Sequence, residues 1–199
     1  MKVVLADYGA GNLRSVCSAF ERAGAEASVS ADPAAVAGAP LVVIAGVGHL
    51  AACADGLRAV GLDEVLRERV DAGRPLLGIC VGMQVLFDES EEGGTGLGIL
   101  RGPVARLQAR RVPHMGWNTL ALRGRPCILE GLDGEDVYFA HSYAAHPAQP
   151  LAGAEVDHDG PVLAAVEDGA VAGVQFHPER SAAAGERLLE NVLRWSRSA

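Results

Sequence analysis

The N-terminal half of the chain alternates short, wholly apolar runs with stretches in which apolar residues recur every three or four positions. Residues 2–6 are a run of the first kind and predict a buried strand. Along 13–23, Val16, Ala19, Phe20 and Ala23 fall on one helical stripe. Residues 27–30 and 41–45 predict two more strands. A second amphipathic helix covers 62–72, with Val65, Leu66 and Val70 on its apolar face, and Gly73-Arg74-Pro75 ends it before a fourth strand at 75–79. This rhythm predicts a mostly parallel sheet flanked by helices, an α/β fold whose sites lie at the C-terminal ends of the strands. Those ends are 7–12, Gly46-Val47-Gly48 and Cys80.

The second half has a different texture. Strand patterns at 99–107, 136–140, 161–166 and 171–176 follow one another without long helices between them, and a helix at 182–195 closes the chain. This predicts an antiparallel extension of the same sheet. No linker, repeat or low-complexity tract divides the sequence, so a single domain over 1–199 is expected.

Charge and composition narrow the chemistry. A net charge of −8, with no Lys/Arg run beyond the pair Arg110-Arg111, argues against a nucleic-acid partner. No window is apolar for the length a bilayer demands, and 1–6 is too short for a signal-peptide core, so a cytoplasmic protein is expected. The four cysteines (Cys17, Cys53, Cys80, Cys127) form no C-x-x-C pair, which predicts neither a metal site nor a disulfide framework. Three of them are expected to be small buried hydrophobes.

Cys80 differs by its setting. Gly78-Ile79-Cys80-Val81-Gly82 joins an apolar strand to a helical pattern at 83–87, the layout of a nucleophile elbow. Small flanking residues let the chain turn sharply, and the free N–H groups of the helix start favour a thiolate. The Val81 N–H is placed to donate to an oxyanion on the attacked carbon, and the glycine loop Gly46-Val47-Gly48 on a neighbouring strand end offers a second donor. Gln175-Phe176-His177-Pro178-Glu179 ends the last strand. There Glu179, two residues on, can orient the His177 imidazole while its other nitrogen faces Cys80. From the residues alone, a buried cysteine between glycines, a surface His-Pro turn, a different cysteine hydrolase and a binding module that retains the fold all stay open.

In this order the motifs resemble the class I glutamine amidotransferases, a flavodoxin-like fold, over essentially the whole chain. Asp7-Tyr8-Gly9-Ala10-Gly11-Asn12, Pro113-His114-Met115-Gly116-Trp117-Asn118 and His141-Ser142-Tyr143 are similar to segments of the glutaminase subunits of imidazole glycerol phosphate synthase. The resemblance implies a triad of Cys80, His177 and Glu179 that hydrolyses glutamine to glutamate and ammonia through a cysteinyl thioester. It implies oxyanion donors at Val47 and Val81, and glutamine binding by Gly48, Gln84, Glu92, His141, Ser142 and Tyr143. It also implies a (β/α)8-barrel cyclase partner that receives the ammonia, met at Asn12, Trp117 and Arg180, and neither a cofactor nor a metal. The sequence departs from the family pattern at Ala45, where a proline is usual, at Val81 for leucine and at Arg180 for lysine. Losing the proline is expected to relax the loop beside the oxyanion donor.

Overall fold

The structure, a computed structural model, describes residues 1–198. Its first half runs β1 (Lys2–Ala6), α1 (Leu13–Arg22), β2 (Glu26–Ser30), α2 (Pro33–Gly38), β3 (Leu41–Gly46), α3 (Leu50–Ala59), α4 (Leu62–Asp71) and β4 (Leu76–Cys80). Then come α5 (Val81–Gln84), β5 (Glu89–Ser90), β6 (Pro103–Arg106), β7 (His114–Thr119), β8 (Ala121–Arg123) and β9 (Asp136–His141). The chain finishes with β10 (Tyr143–Ala145), β11 (Ala152–Asp157), β12 (Pro161–Asp168), β13 (Val171–Val174) and α6 (Ala182–Trp195).

Eight strands form one sheet in the order β2-β1-β3-β4-β13-β12-β11-β8. The five from β2 to β13 are parallel, and β12, β11 and β8 continue the sheet antiparallel. The mixed α/β sheet expected from the two textures of the sequence is therefore present. Every residue of β3 and β4 is buried, because helices cover both faces of a parallel sheet and leave no solvent side. Helix α1 turns Val16, Ala19 and Phe20 onto that sheet, the stripe its periodicity announced. Two small sheets, β10-β6-β5 and β7-β9, sit apart from the large one.

The differences from expectation have local causes. Two helices, α2 and α3, lie in stretches so rich in alanine and glycine that apolar periodicity is weak. Asp32 caps α2, its carboxylate accepting from the Ala34 N–H at 3.0 Å. Arg69, on the buried side of α4, donates to the carbonyls of Val36, Ala37 and Ala39 where α2 ends. The strand expected over 99–107 shortens to β6, because Gly98 and Gly102 take positive φ (63° and 131°) and break the extended run. Strands β5, β7, β8, β10 and β11 lie outside every stretch whose pattern predicts a strand. In β7 the large apolar residues Met115 and Trp117 face outward, inverting the usual alternation. The helix expected at 83–87 starts earlier, immediately after Cys80, and loosens into i→i+3 turns at Leu86 and Phe87. Among the cysteines only Cys53 and Cys80 are buried. Cys127 is exposed on a 3-10 turn, against the expectation of a small core residue.

Candidate functional site

The register of the parallel strands brings three chain segments level at one edge of the sheet. Gly46 pairs with Cys80 across β3 and β4, and Val174 pairs with Ile79 across β13 and β4. The residue after Val174, Gln175, thus comes beside Cys80, and His177 follows two positions later. At Cys80 the backbone turns with φ 55° and ψ −115°, outside the basins open to a residue with a Cβ. Such a conformation costs on the order of 1–3 kcal/mol and persists only when its surroundings enforce it. Here the enforcement is steric. A Cβ on Gly78 would lie 2.4 Å from the Gly82 carbonyl oxygen, and one on Gly82 would lie 1.9 Å from that of Ile44. Helix α5 is thereby pressed directly onto β3 and β4.

Beyond the elbow, the His177 Nδ1 lies 2.9 Å from Glu179 Oε1, and the ring borders the same cavity as Cys80. Burial alone would lower the pKa of this imidazole. Interaction with Cys80 and with the Glu179 carboxylate outweighs it and pushes the value up to about 10. The backbone at His177 is pinned as well. Its N–H donates to the Tyr138 carbonyl at 2.9 Å, and its own carbonyl accepts from Ser181 Oγ at 2.6 Å. Together these bring a base, its orienting carboxylate and a thiol to one site, an arrangement able to generate a nucleophile and to shuttle a proton.

Cys80 and His177 open into a cavity of about 600 Å³. Val47, Gly48 and Val81 are among its lining residues, as are Gln84, Glu92, His141, Ser142 and Tyr143. Glu92 already has a partner: its Oε1 lies 2.6 Å from Nδ1 of His49, a side chain otherwise 69% exposed. Among the described residues no group of three or more His, Cys, Asp or Glu side chains could hold a metal ion. No described helix is long and apolar enough to cross a membrane.

The family model of class-I glutamine amidotransferases matches residues 4–195. The chain belongs to this family. Among similar members are the imidazole glycerol phosphate synthase subunits HisH of Mycolicibacterium paratuberculosis and Dehalococcoides mccartyi. The first is 48% identical over 198 residues and the second 45% over 197, each match covering 96% of both chains. The fold of a glutamine amidotransferase crystal structure is also similar, with a TM-score of 0.78 at 22% identity and 98% of each chain covered. The structure of PurLQS from Thermotoga maritima scores 0.71 at 18% identity, with the same coverage.

For a class-I glutamine amidotransferase chain, the placement of the residues singled out from sequence is informative. All the residues expected to bind substrate line the one cavity, and Glu179 stands behind His177, its side chain 5% exposed. Gln84, which also reads as exposed helix polarity in the sequence, is buried. Arg180 borders the cavity and stacks its guanidinium on the Tyr138 ring at 4.5 Å, with Trp117 edge-on to the same ring at 6.1 Å. Trp117 and Met115 are more than half exposed and share one face of β7. Asn12, the N-cap of α1, is exposed and does not line the cavity.

Sequence reasoning missed two contributors. Arg106, from β6, borders the cavity and belongs to no motif. Tyr8 sits inside a recognised segment, but its role became visible only in three dimensions: its hydroxyl donates to the Ala45 carbonyl at 2.8 Å and accepts from Cys53 Sγ at 3.1 Å. Burial pushes the Tyr8 hydroxyl far above its ordinary range, so it stays a donor. Ala45 lacks the family's ring, yet its carbonyl is tied down by a side chain 37 positions away.

Behind the cavity, His141 and His114 face each other across β9 and β7, with His114 Nδ1 3.1 Å from His141 Nε2. Burial lowers both pKa values to about 4, and the neighbouring histidines add to the effect. A base whose folded pKa lies below its unfolded value binds fewer protons when folded. Stability is therefore unaffected above about pH 6.5 and falls as the pH drops from there towards 4. Both imidazoles contribute, so a loss of several kcal/mol is expected between pH 7 and pH 4. Urea denaturation across that range should show it, and His114→Gln should remove about half of the decline. A flat profile through this window would contradict the assignment.

Proposed function

We propose that this chain is the glutaminase subunit of an imidazole glycerol phosphate synthase, a single catalytic domain working in the cytoplasm. The observation that carries the reading is the hydrogen-bonded pair His177–Glu179 beside Cys80, in a cavity that Gln84 and Glu92 also border. Glutamine would enter with its α-ammonium group at Glu92, replacing the imidazole of His49, and its α-carboxylate at the Ser142-Tyr143 segment. Cys80 attacks the side-chain amide carbon as a thiolate. The resulting oxyanion is met by the N–H groups of Val81 and Val47, with Gly48 giving the loop its turn. His177, protonated, gives its proton to the leaving nitrogen, and ammonia departs as the thioester forms. A water then loses a proton to His177 and attacks the thioester. Glutamate leaves and the sulfur is regenerated.

The similarity to HisH subunits at 45–48% identity supports a destination for the ammonia in a (β/α)8-barrel cyclase partner. Such a partner would use it to make imidazole glycerol phosphate and an aminoimidazole carboxamide ribonucleotide in histidine biosynthesis. The exposed pair Met115 and Trp117, the Arg180–Tyr138 stack beside the cavity mouth and Asn12 are the surface proposed to meet that partner. Glutamate release should be measured for the chain alone, with the cyclase, and with the cyclase and its nucleotide ligand. At least a tenfold rise is expected in the last case, corresponding to a coupling of about 1.4 kcal/mol or more. Equal rates in all three would sink the coupling, and no release in any would sink the reading.

A further inference from the structure

Gln175 is fully buried beside the nucleophile, and its carboxamide nitrogen lies 3.7 Å from Cys80 Sγ. Its oxygen accepts from Gln84 Nε2 at 2.8 Å, and that same nitrogen donates to the Tyr143 carbonyl, also at 2.8 Å. The orientation of these amides follows from their partners. A backbone carbonyl only accepts, so the Gln84 atom against Tyr143 must be the nitrogen. A nitrogen that only donates must face the oxygen of Gln175, which leaves the Gln175 N–H for the sulfur.

The logic extends outward. The Tyr143 carbonyl also takes the Nδ1 proton of His141 at 2.8 Å, so a neutral His141 presents a bare Nε2 to Nδ1–H of His114. The His114 Nε2 then accepts from Asn118 Nδ2 at 3.2 Å, and that amide is fixed by donating to the Asp157 carbonyl at 2.9 Å. The Tyr143 carbonyl accepts from both Gln84 and His141, so it orients the amides beside the thiol on one side and the histidine pair on the other.

We propose that Gln175 is a positioning residue for Cys80, its N–H holding the sulfur at the elbow, and that the Tyr143 carbonyl, acting through Gln84, sets the direction of that N–H. The proposal rests on the reading of Cys80 as nucleophile. Sulfur carries negative charge when it attacks and again when the thioester is cleaved. A donor aimed at it from the protein side therefore acts on both chemical steps and leaves substrate binding alone.

Gln175→Met keeps the volume and removes the donor. Assayed with the cyclase and its ligand, it should lower kcat about tenfold with KM changed by less than about twofold. Alkylation of Cys80 by iodoacetamide should slow, and its pH profile should move up by about one unit. Gln175→Glu keeps the acceptor for Gln84 but turns a carboxylate oxygen towards the sulfur, and should cost roughly a hundredfold. Unchanged kcat and an unchanged alkylation profile in a folded Gln175→Met would overturn the proposal.

Should neither variant fold, the wild type still decides. Among its four glutamines the side-chain amide resonance of Gln175 should titrate together with Cys80 alkylation, and should stop titrating in Cys80→Ala. The same resonance behaviour in both proteins would overturn it. A different failure marks the underlying reading: wild-type protein that releases no glutamate, and whose Cys80 reacts no faster than exposed Cys127, removes the nucleophile and this proposal with it.

Discussion

Cys80→Ala is expected to lower glutamate release at least about 10⁴-fold while leaving the protein folded. The chemical half of the expectation follows from the absence of any substitute. The other buried thiol, Cys53, is engaged with the Tyr8 hydroxyl, and burial pushes its pKa up to about 11. The structural half follows from the elbow. Alanine keeps a Cβ, so the strain at φ 55° is the same in both proteins, and only one buried sulfur atom is lost. Stability should change by about 1 kcal/mol or less. His177→Ala should fall nearly as far, and the double variant no further, because thiol and imidazole act as one unit. Glutamate release in the assembled complex, alongside thermal melting of each variant, checks all of this. Activity within tenfold of the wild type in Cys80→Ala would dismiss the mechanism.

The parts of this site that the sequence discloses are those where backbone geometry restricts residue choice locally. Gly78-Ile79-Cys80-Val81-Gly82 is legible because a strand that turns into a helix over three residues leaves no room for side chains at either flank. His177 and Glu179 are legible because two positions along an extended segment point the same way, and their 2.9 Å contact is that geometry realised. What stays hidden is set by pairing between distant segments. Gln175 meets Cys80 across 95 positions and Gln84 across 91, contacts that exist only once β13 has docked on β4. The His114–His141 bond depends on the register of β7 on β9, and the alternation in β7 puts its large apolar residues on the exposed side, against the usual reading.

Ala45 shows the same limit from the other side. Its missing ring predicts a looser loop. The structure holds its carbonyl with Tyr8, whose importance no spacing rule expresses. Ala45 itself lies within β3, paired with Ile79, so the sheet constrains it before any loop begins.

Gly82→Ala should be severely damaging for so small a substitution, with an expected loss of about 3 kcal/mol or more. The added methyl would sit 1.9 Å from the Ile44 carbonyl oxygen and 2.7 Å from its carbon. Both are backbone atoms of a central strand paired on both sides, so no side-chain rotation relieves the clash. Relief requires α5 to lift from β3 by more than 1 Å, roughly the gap between 1.9 Å and ordinary van der Waals contact. That movement carries Val81 and Cys80 with it, since they are the residues joining β4 to α5. Glutaminase activity should therefore fall even in molecules that remain folded, because displacement of about 1 Å at a reacting centre costs on the order of 100-fold. Gly38→Ala is the matched control. It adds the same methyl where nothing lies within 4 Å and φ is not positive, and should shift stability by no more than about 0.5 kcal/mol. Urea midpoints measured side by side give the test, and equal midpoints for the two variants would mean that α5 is not pressed onto β3 as described.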